Sequence, residues 1–508
     1  MKTNRLAHES FWGTIVTYVG VTLGFITTFF VLTHYLSPEE VGLTRLLFEV
    51  ATLLSGFCLV GLSTSISRYF PYFRNDRSTN RIVHHGFWRY VCLIALSGCI
   101  VFVPLYYLFS DSLLALFARN SELFVEYYYL VVPIAMSIVF WTISELYSIQ
   151  LLRLVAPRVI RELVLRILLL AVYLIYAFTH ISRTSFLWLF VGCYTVCMLL
   201  SLLYLRRVTS LSWRHTPGFV SQELQESFMR YTALALLSTV GTTLAGRMDL
   251  FMLAAIDQEG LVSAAVFSVA FFMITIMDIP TRAIISIATP LLSETMKGGK
   301  YTRAKELYQR ISFYQLASAS IVFVILWTNM DNIFAIMPGG ADYIGAKPVF
   351  FVLGLSKLIE VTFTASHPIV HSSRFYHWNI YYTLLLILVS FVANLYLIPK
   401  LGTVGAALAT LLTSTLGYSL QQGLLYRTLG IHPLSARLLW ALLVATTLWG
   451  VNALLPNLGN TWLDLGLRSA LLALAGGGGL WLLGVVPEAE QFVHSYFDRC
   501  NRHAHTAR

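Results

Sequence analysis

A small set of ionisable side chains lies inside stretches that are otherwise apolar, and these residues could carry chemistry. They are Arg45 and Glu49, Glu145, Glu162 and Arg166, Arg247 and Asp249, Asp278 and Arg282, and Lys357 and Glu360. A charge in an apolar span is costly unless it is paired or wetted, so each is either a pair partner or part of a binding site. Arg45/Glu49, Glu162/Arg166 and Asp278/Arg282 have i,i+4 spacing and Lys357/Glu360 has i,i+3, the spacings at which helical neighbours neutralise one another. Arg247/Asp249 differs, because i,i+2 residues point in different directions on a helix; at least one of them needs a partner elsewhere, or water. Arg282 follows Pro280, which frees a backbone carbonyl and can kink a helix beside the charge. Two readings stand side by side: self-neutralising pairs, or cations that line an anion-binding cavity led by Arg247 and Arg282.

Other residue types offer less. His367 and His371 have a metal-compatible i,i+4 spacing but no carboxylate or cysteine close by in the sequence, and His84, His85, His503 and His505 resemble solvated side chains. Cys58, Cys92, Cys99, Cys193 and Cys197 fall in apolar segments and Cys500 near the carboxyl end, with no CxxC spacing, so neither a metal site nor a disulfide framework is expected. The sequence contains no phosphate-binding glycine loop of the GxxxxGK[ST] type and no GxSxG elbow. ATP-driven transport by this chain alone and hydrolase chemistry are therefore not expected, and no cofactor is implied beyond Na+ or H+ as a coupling ion.

The elements that must position these charges are membrane spans. Hydrophobic residues make up 57% of the chain and charged ones 12%, with a mean hydropathy of +0.70, whereas soluble domains carry about 25% charged residues. At about 20 apolar residues per crossing, the sequence predicts fourteen helices, near 11–36, 41–70, 87–109, 122–149, 162–179, 184–205, 228–256, 261–292, 312–334, 348–370, 376–398, 403–426, 436–455 and 463–486. The first, Phe11–Leu36, is too long for a signal-peptide core and lacks a small-residue cleavage site. With the amino terminus cytoplasmic, 26 of the 35 Lys and Arg fall on the cytoplasmic side and four (Arg119, Arg183, Lys347, Lys400) on the other, leaving five within helices or at their outer ends. This positive-inside bias predicts cytoplasmic termini and accounts for the net charge of +10 without nucleic acid. Basic connections also suit anionic membrane lipids.

An offset of 219 residues aligns Glu40 with Glu259, Phe48 with Phe267, Ala51 with Ala270, Ile66 with Ile285 and Pro71 with Pro290 without gaps. The offset equals six helices, as expected for a parallel duplication. The predicted organisation is an all-α membrane protein with two pseudo-symmetric six-helix lobes, 1–206 and 207–430. Two further helices follow over 431–488, then a basic cytoplasmic tail over 489–508. Gly476 to Gly479 are read as small residues that permit close helix contact.

Four motifs in order give a resemblance: Leu36-Ser-Pro-Glu-Glu-Val-Gly-Leu43; Arg247-Met-Asp-Leu-Phe-Met-Leu253; Pro280-Thr-Arg-Ala-Ile-Ile-Ser286 running to Pro290; and Leu401-Gly-Thr-Val-Gly-Ala-Ala-Leu-Ala-Thr410 with Gly430-Ile-His-Pro433 after it. Through the twelfth helix the chain resembles the polysaccharide-type (Wzx-like) flippases of the multidrug/oligosaccharidyl-lipid/polysaccharide (MOP, MATE-like) exporter superfamily. The resemblance implies a two-lobed, V-shaped transporter in the bacterial inner membrane. By alternating access it would move a polyprenyl-pyrophosphate-linked oligosaccharide to the periplasmic leaflet, for surface polysaccharide such as O-antigen, capsule or exopolysaccharide. Arg247 and Arg282, with Arg45 third, would then hold the pyrophosphate. Asp249, Asp278 and Glu49 would hold those arginines or take up a coupling cation, and Lys357/Glu360 would join that charge pairing. Partners implied are the lipid-linked oligosaccharide, membrane lipids, a polysaccharide polymerase and other assembly proteins. Residues Ser366 to Tyr376 depart from the Asn-rich form expected in that family. The alternatives are a cation-coupled drug or small-molecule antiporter of the same superfamily, a membrane polysaccharide polymerase or ligase, and a non-transporting scaffold. The polymerase or ligase would call for a large outer loop, and the longest outer connection, around 335–347, is short.

Overall fold

The computed structural model describes residues 2–73, 86–151, 153–179, 181–209, 211, 213, 222–297, 299, 301–371, 373, 378–455 and 459–482. Among them the chain is almost entirely helical and has no strand. His84, His85, His503, His505 and the tail 489–508 lie outside the described residues. Where the sequence predicts fourteen crossings, nine described helices are long and apolar enough to span a bilayer. Three of the five missing spans have a local physical cause. One of the nine, Tyr381–Leu429, covers two expected spans, while the expected fifth and seventh spans are shortened by a π-helical turn and split by a break, respectively.

Two compact units divide the chain, Met1–Ala265 and Val266–Arg508. In the first lie α1 (Lys2–Ile26), α2 (Pro38–Cys58), α3 (Leu62–Tyr69), α4 (Phe87–Leu108), α5 (Val131–Gln150), α6 (Leu165–Thr179), α7 (Arg183–Val208), α8 (Gln222–Ala245) and α9 (Met248–Ile256). α2 packs on α4, α5 and α8, and α5 packs on α7. α10 (Leu261–Lys297) begins in the first unit and continues in the second. There it is joined by α11 (Tyr301–Thr328), α12 (Ala346–Phe363), α13 (Ser366–His371), α14 (Trp378–Leu429), α15 (Ala436–Leu454) and α16 (Thr461–Leu482). α12 packs on α14, and α11 packs on α12, α15 and α16.

The sequence dictates several helix boundaries. Ser37 accepts from the Glu40 amide at 3.3 Å and the Glu40 carboxylate accepts from the Ser37 amide at 3.1 Å, with Pro38 opening α2. This reciprocal cap satisfies two orphan donors and contributes about 1 kcal/mol. The Leu36–Leu43 motif is thus architectural, and Glu40 extends it by accepting from Tyr176 at 2.8 Å and Arg183 Nε at 3.1 Å. α2 ends at Cys58, and α3 starts after Gly61, whose left-handed φ of 78° and approach to the Thr232 carbonyl leave no room for a Cβ. The 219-residue offset puts Pro280 opposite Gly61, yet α10 remains helical through Pro280. α14 contains Pro399 and a non-helical Gly402 (φ 56°, ψ −131°), so it is two helices joined at the boundary expected between 398 and 403.

Apolar side chains that would be unfavourable in water face outward along the spans, among them Ile100, Leu388, Leu439 and Leu474, each at least 60% exposed. These are lipid-facing surfaces of a multi-pass membrane protein.

Candidate functional site

In the first unit one acidic residue sits between two arginines. α2 carries Arg45 and Glu49 one turn apart, and their side chains meet at 2.7 Å. The other Glu49 oxygen accepts from Arg247 Nη1. Glu49 is 1% exposed, whereas Arg45 and Arg247 are each about one-third exposed. The buried carboxylate therefore holds two guanidinium groups whose other faces reach open space. Arg45 also lies 5.9 Å over the Phe48 ring, which stacks on Tyr194 at 5.6 Å.

Arg247 reaches Glu49 because the expected seventh helix is not continuous. α8 stops at Ala245, and Arg247 has φ −125° and ψ −5° at the start of α9. Across this break Arg247 and Asp249 do not have the i,i+2 geometry of a continuous helix. Asp249 occupies the first turn of α9, where a carboxylate is favoured by the helix dipole.

In the second unit one base sits between two acids. Lys357 of α12 donates to Asp278 of α10 at 2.8 Å and to Glu360 at 2.9 Å. Lys357 is 12% exposed, Asp278 20% and Glu360 43%. Arg282 stands apart, 63% exposed and 3.9 Å from Asp278. The i,i+4 pair expected there is the long one, and the close partner of Asp278 comes from another helix. Thr364 donates to the Glu360 carbonyl at 2.7 Å where α12 ends.

The structure thus brings Arg45, Glu49 and Arg247 together, and Asp278, Lys357 and Glu360 together, with Arg282 at the margin of the second group. Glu162 and Arg166 do pair, at 2.9 Å. Glu145 has a partner that spacing did not indicate, Arg161 at 2.6 Å. Sequence reasoning also missed Arg183, placed there at an outer loop; its contact with Glu40 was foreshadowed only by the cap that buries that carboxylate. His367 lies 3.5 Å from the Gln421 amide rather than in a metal set, and among the described residues no group of three or more His, Cys, Asp or Glu could hold a metal ion. Of the four glycines 476–479, Gly476 lies against Ile321 and Gly479 against Val444, while Gly477 and Gly478 face open space.

The apolar helical spans define a polytopic membrane protein. The model of the family described as "Polysaccharide biosynthesis protein" matches residues 6–296, and the chain belongs to that family. No curated protein matches it. Among solved structures it is similar to the lipid II flippase MurJ in an inward closed conformation, with a TM-score of 0.72 and 13% identity over 94% of this chain and 99% of that one. It is similar also to an inward-facing multidrug resistance MATE family transporter of the MOP superfamily (TM-score 0.56, 15% identity, 82% and 99% covered). A MOP superfamily transporter from Pyrococcus furiosus gives a TM-score of 0.55 at 14% identity, with 87% and 96% covered. At these identities the likeness establishes a common fold.

Proposed function

We propose that this protein is a flippase of the bacterial inner membrane, with both termini cytoplasmic, that carries a polyprenyl-pyrophosphate-linked oligosaccharide to the periplasmic leaflet by alternating access. The observation that carries the reading is the pair of half-open arginines, Arg45 and Arg247, held by the single buried Glu49. Membership of a polysaccharide biosynthesis family supports a lipid-linked saccharide as cargo. The pyrophosphate supplies two adjacent negative groups, and arginine forks bind such oxygens by paired charge-assisted hydrogen bonds. Glu49 fixes the forks before the cargo arrives, so less ordering cost falls on binding. Arg282, exposed on α10, is a further cation, in the second unit, available to an anionic group.

Asp278 and Glu360 are the coupling site in this reading. Lys357 occupies the position that a sodium ion or proton would take, and an arriving cation releases Lys357 from its two carboxylates. Flipped cargo then passes to a polymerase for O-antigen, capsule or exopolysaccharide. The test is complementation in a host lacking the gene. Arg45→Ala/Arg247→Ala should leave the protein in the membrane and abolish surface polysaccharide; normal polysaccharide would overturn the reading.

The two carboxylates at Lys357 also fit a cation-coupled antiporter of small molecules. That second reading would be favoured if the deletion strain became drug-sensitive while its polysaccharide stayed intact.

A further inference from the structure

α1 and the segment that leads into α6 meet along a line of glycines and charges. Gly13, Gly20 and Gly24 recur on one face of α1 at spacings of seven and four, and opposite them lie Arg158, Glu162 and Arg166, four residues apart. A methyl group at Gly13 would fall 2.6 Å from an Arg158 guanidinium nitrogen, and one at Gly24 would collide with Arg166. The missing side chains are what allow guanidinium groups between two spans.

The acids in this corner are already engaged. Glu162 accepts from Arg166 Nη2 at 2.9 Å, Arg166 Nη1 donates to the Gly20 carbonyl, and Glu145 of α5 pairs with Arg161 at 2.6 Å. The Arg158 guanidinium has no hydrogen bond or ion pair among the described residues, its backbone amide alone donating to the Leu154 carbonyl, although Glu145 is within electrostatic reach of it. Among those residues three arginines therefore face two carboxylates, and the cluster carries a spare cation. Arg161 is 48% exposed, and its guanidinium lies 5.5 Å over the ring of Trp141. Trp141 is 5% exposed, yet its Nε1–H has no hydrogen-bond partner. A buried donor without an acceptor costs about 1–3 kcal/mol, and beside excess guanidinium charge the group that would satisfy it is an anionic oxygen. The neighbouring exposed side chains on α1 and α6, Trp12, Val19 and Ile167, are apolar, so the corner faces the bilayer.

We infer that Arg158, Arg161 and Trp141 form a site for the phosphate of a membrane lipid, separate from the Arg45–Glu49–Arg247 cluster. This site does not depend on what the protein transports. Its phosphate comes either from a resident anionic phospholipid or from the diphosphate of a polyprenyl lipid, and the chemistry of recognition is the same.

Native mass spectrometry of the purified full-length protein tests it, with dioleoylphosphatidylglycerol, undecaprenyl diphosphate and dioleoylphosphatidylcholine as probes. Arg158→Gln/Arg161→Gln should lower retention of phosphatidylglycerol or of undecaprenyl diphosphate about twenty-fivefold, at about fivefold per charge, and leave phosphatidylcholine unchanged. Loss confined to phosphatidylglycerol identifies a resident lipid, and loss confined to undecaprenyl diphosphate identifies a cargo lipid; the inference expects one of the two. Arg158→Lys/Arg161→Lys keeps the charges and should restore most of the retention. Trp141→Phe keeps the ring and removes only the donor, for a loss of about fivefold. Unchanged retention of both phosphate lipids by a monodisperse Arg158→Gln/Arg161→Gln protein overturns the inference. Should that variant fail to stay monodisperse, unchanged retention by Trp141→Phe overturns it instead.

Discussion

The two charge clusters are built on opposite plans. In the first unit an acid, Glu49, is the buried centre and two arginines are the arms; in the second a base, Lys357, is the centre and two acids are the arms. Both arrangements meet the same demand, since a lone charge withdrawn from water costs several kcal/mol. They leave opposite signs at the half-exposed rim. Spare guanidinium faces suit a phosphate, and spare carboxylate oxygens suit a cation. In the proposed flippase the centre of each cluster would act as an internal substitute for the ligand and keep the arms in place.

The arms of the first cluster are where a substitution should have its largest effect. Arg247→Ala removes one of two donors from Glu49 and, in the proposed flippase, one from the cargo, and truncating one partner of a buried charged pair costs about 2–5 kcal/mol. Surface polysaccharide should fall by about a hundredfold with the protein still in the membrane, as read by immunoblot of both. Arg247→Lys, which keeps the charge but not the fork, should recover only part of it. If polysaccharide stays normal in Arg247→Ala, the first cluster is structural.

Lys357→Met attacks the second centre. It leaves Asp278 and Glu360 without their shared cation, and removing one member of a buried ion pair destabilises by about 3–5 kcal/mol. Thermal unfolding in detergent should show a clear loss of stability. The triple variant with Asp278→Asn and Glu360→Gln should recover most of it, because no uncompensated charge remains. Failure of the triple variant to recover would mean that Lys357 supports the fold through packing rather than charge. A milder change, Asp278→Asn alone, retains Glu360 for Lys357; transport in vesicles should then lose its dependence on a sodium or proton gradient while the stability change stays within about 1–2 kcal/mol.

How much of this was legible in the sequence depends on the distance over which the information acts. The start of α2 was readable, because Ser37, Pro38 and Glu40 are local and their capping chemistry is local. So was the boundary inside α14, marked by Pro399 and Gly402. The i,i+3 and i,i+4 contacts of Arg45, Arg166 and Lys357 follow from helix geometry alone. The break at Gly246–Arg247 was masked by the long apolar runs on either side, although Gly246 is a helix-ending residue type and Arg247 and Asp249 interrupt the hydropathy there. Pairings between helices were equally hidden: Glu49 with Arg247, and Asp278 with Lys357, are fixed by which spans pack together, and one sequence does not carry that. Hence the candidate residues were found, but their grouping around a shared centre was not.

The smallest effect is expected at Arg282, and it sharpens the comparison most. From spacing alone, Arg282 and Arg247 are equal candidates, but the structure gives Arg247 a buried carboxylate and Arg282 only a 3.9 Å contact at 63% exposure. An exposed pair at that separation contributes about 0–1 kcal/mol, so Arg282→Ala should leave thermal stability unchanged within that range. Its effect on polysaccharide then reports on cargo contact and on nothing else. A drop of about tenfold at unchanged stability extends the anion site to α10. A drop below about twofold confines the site to Arg45 and Arg247, and makes the second unit's charges solely a matter of cation coupling. Because Asp278 keeps Lys357 in both cases, neither result can arise from collapse of the second cluster.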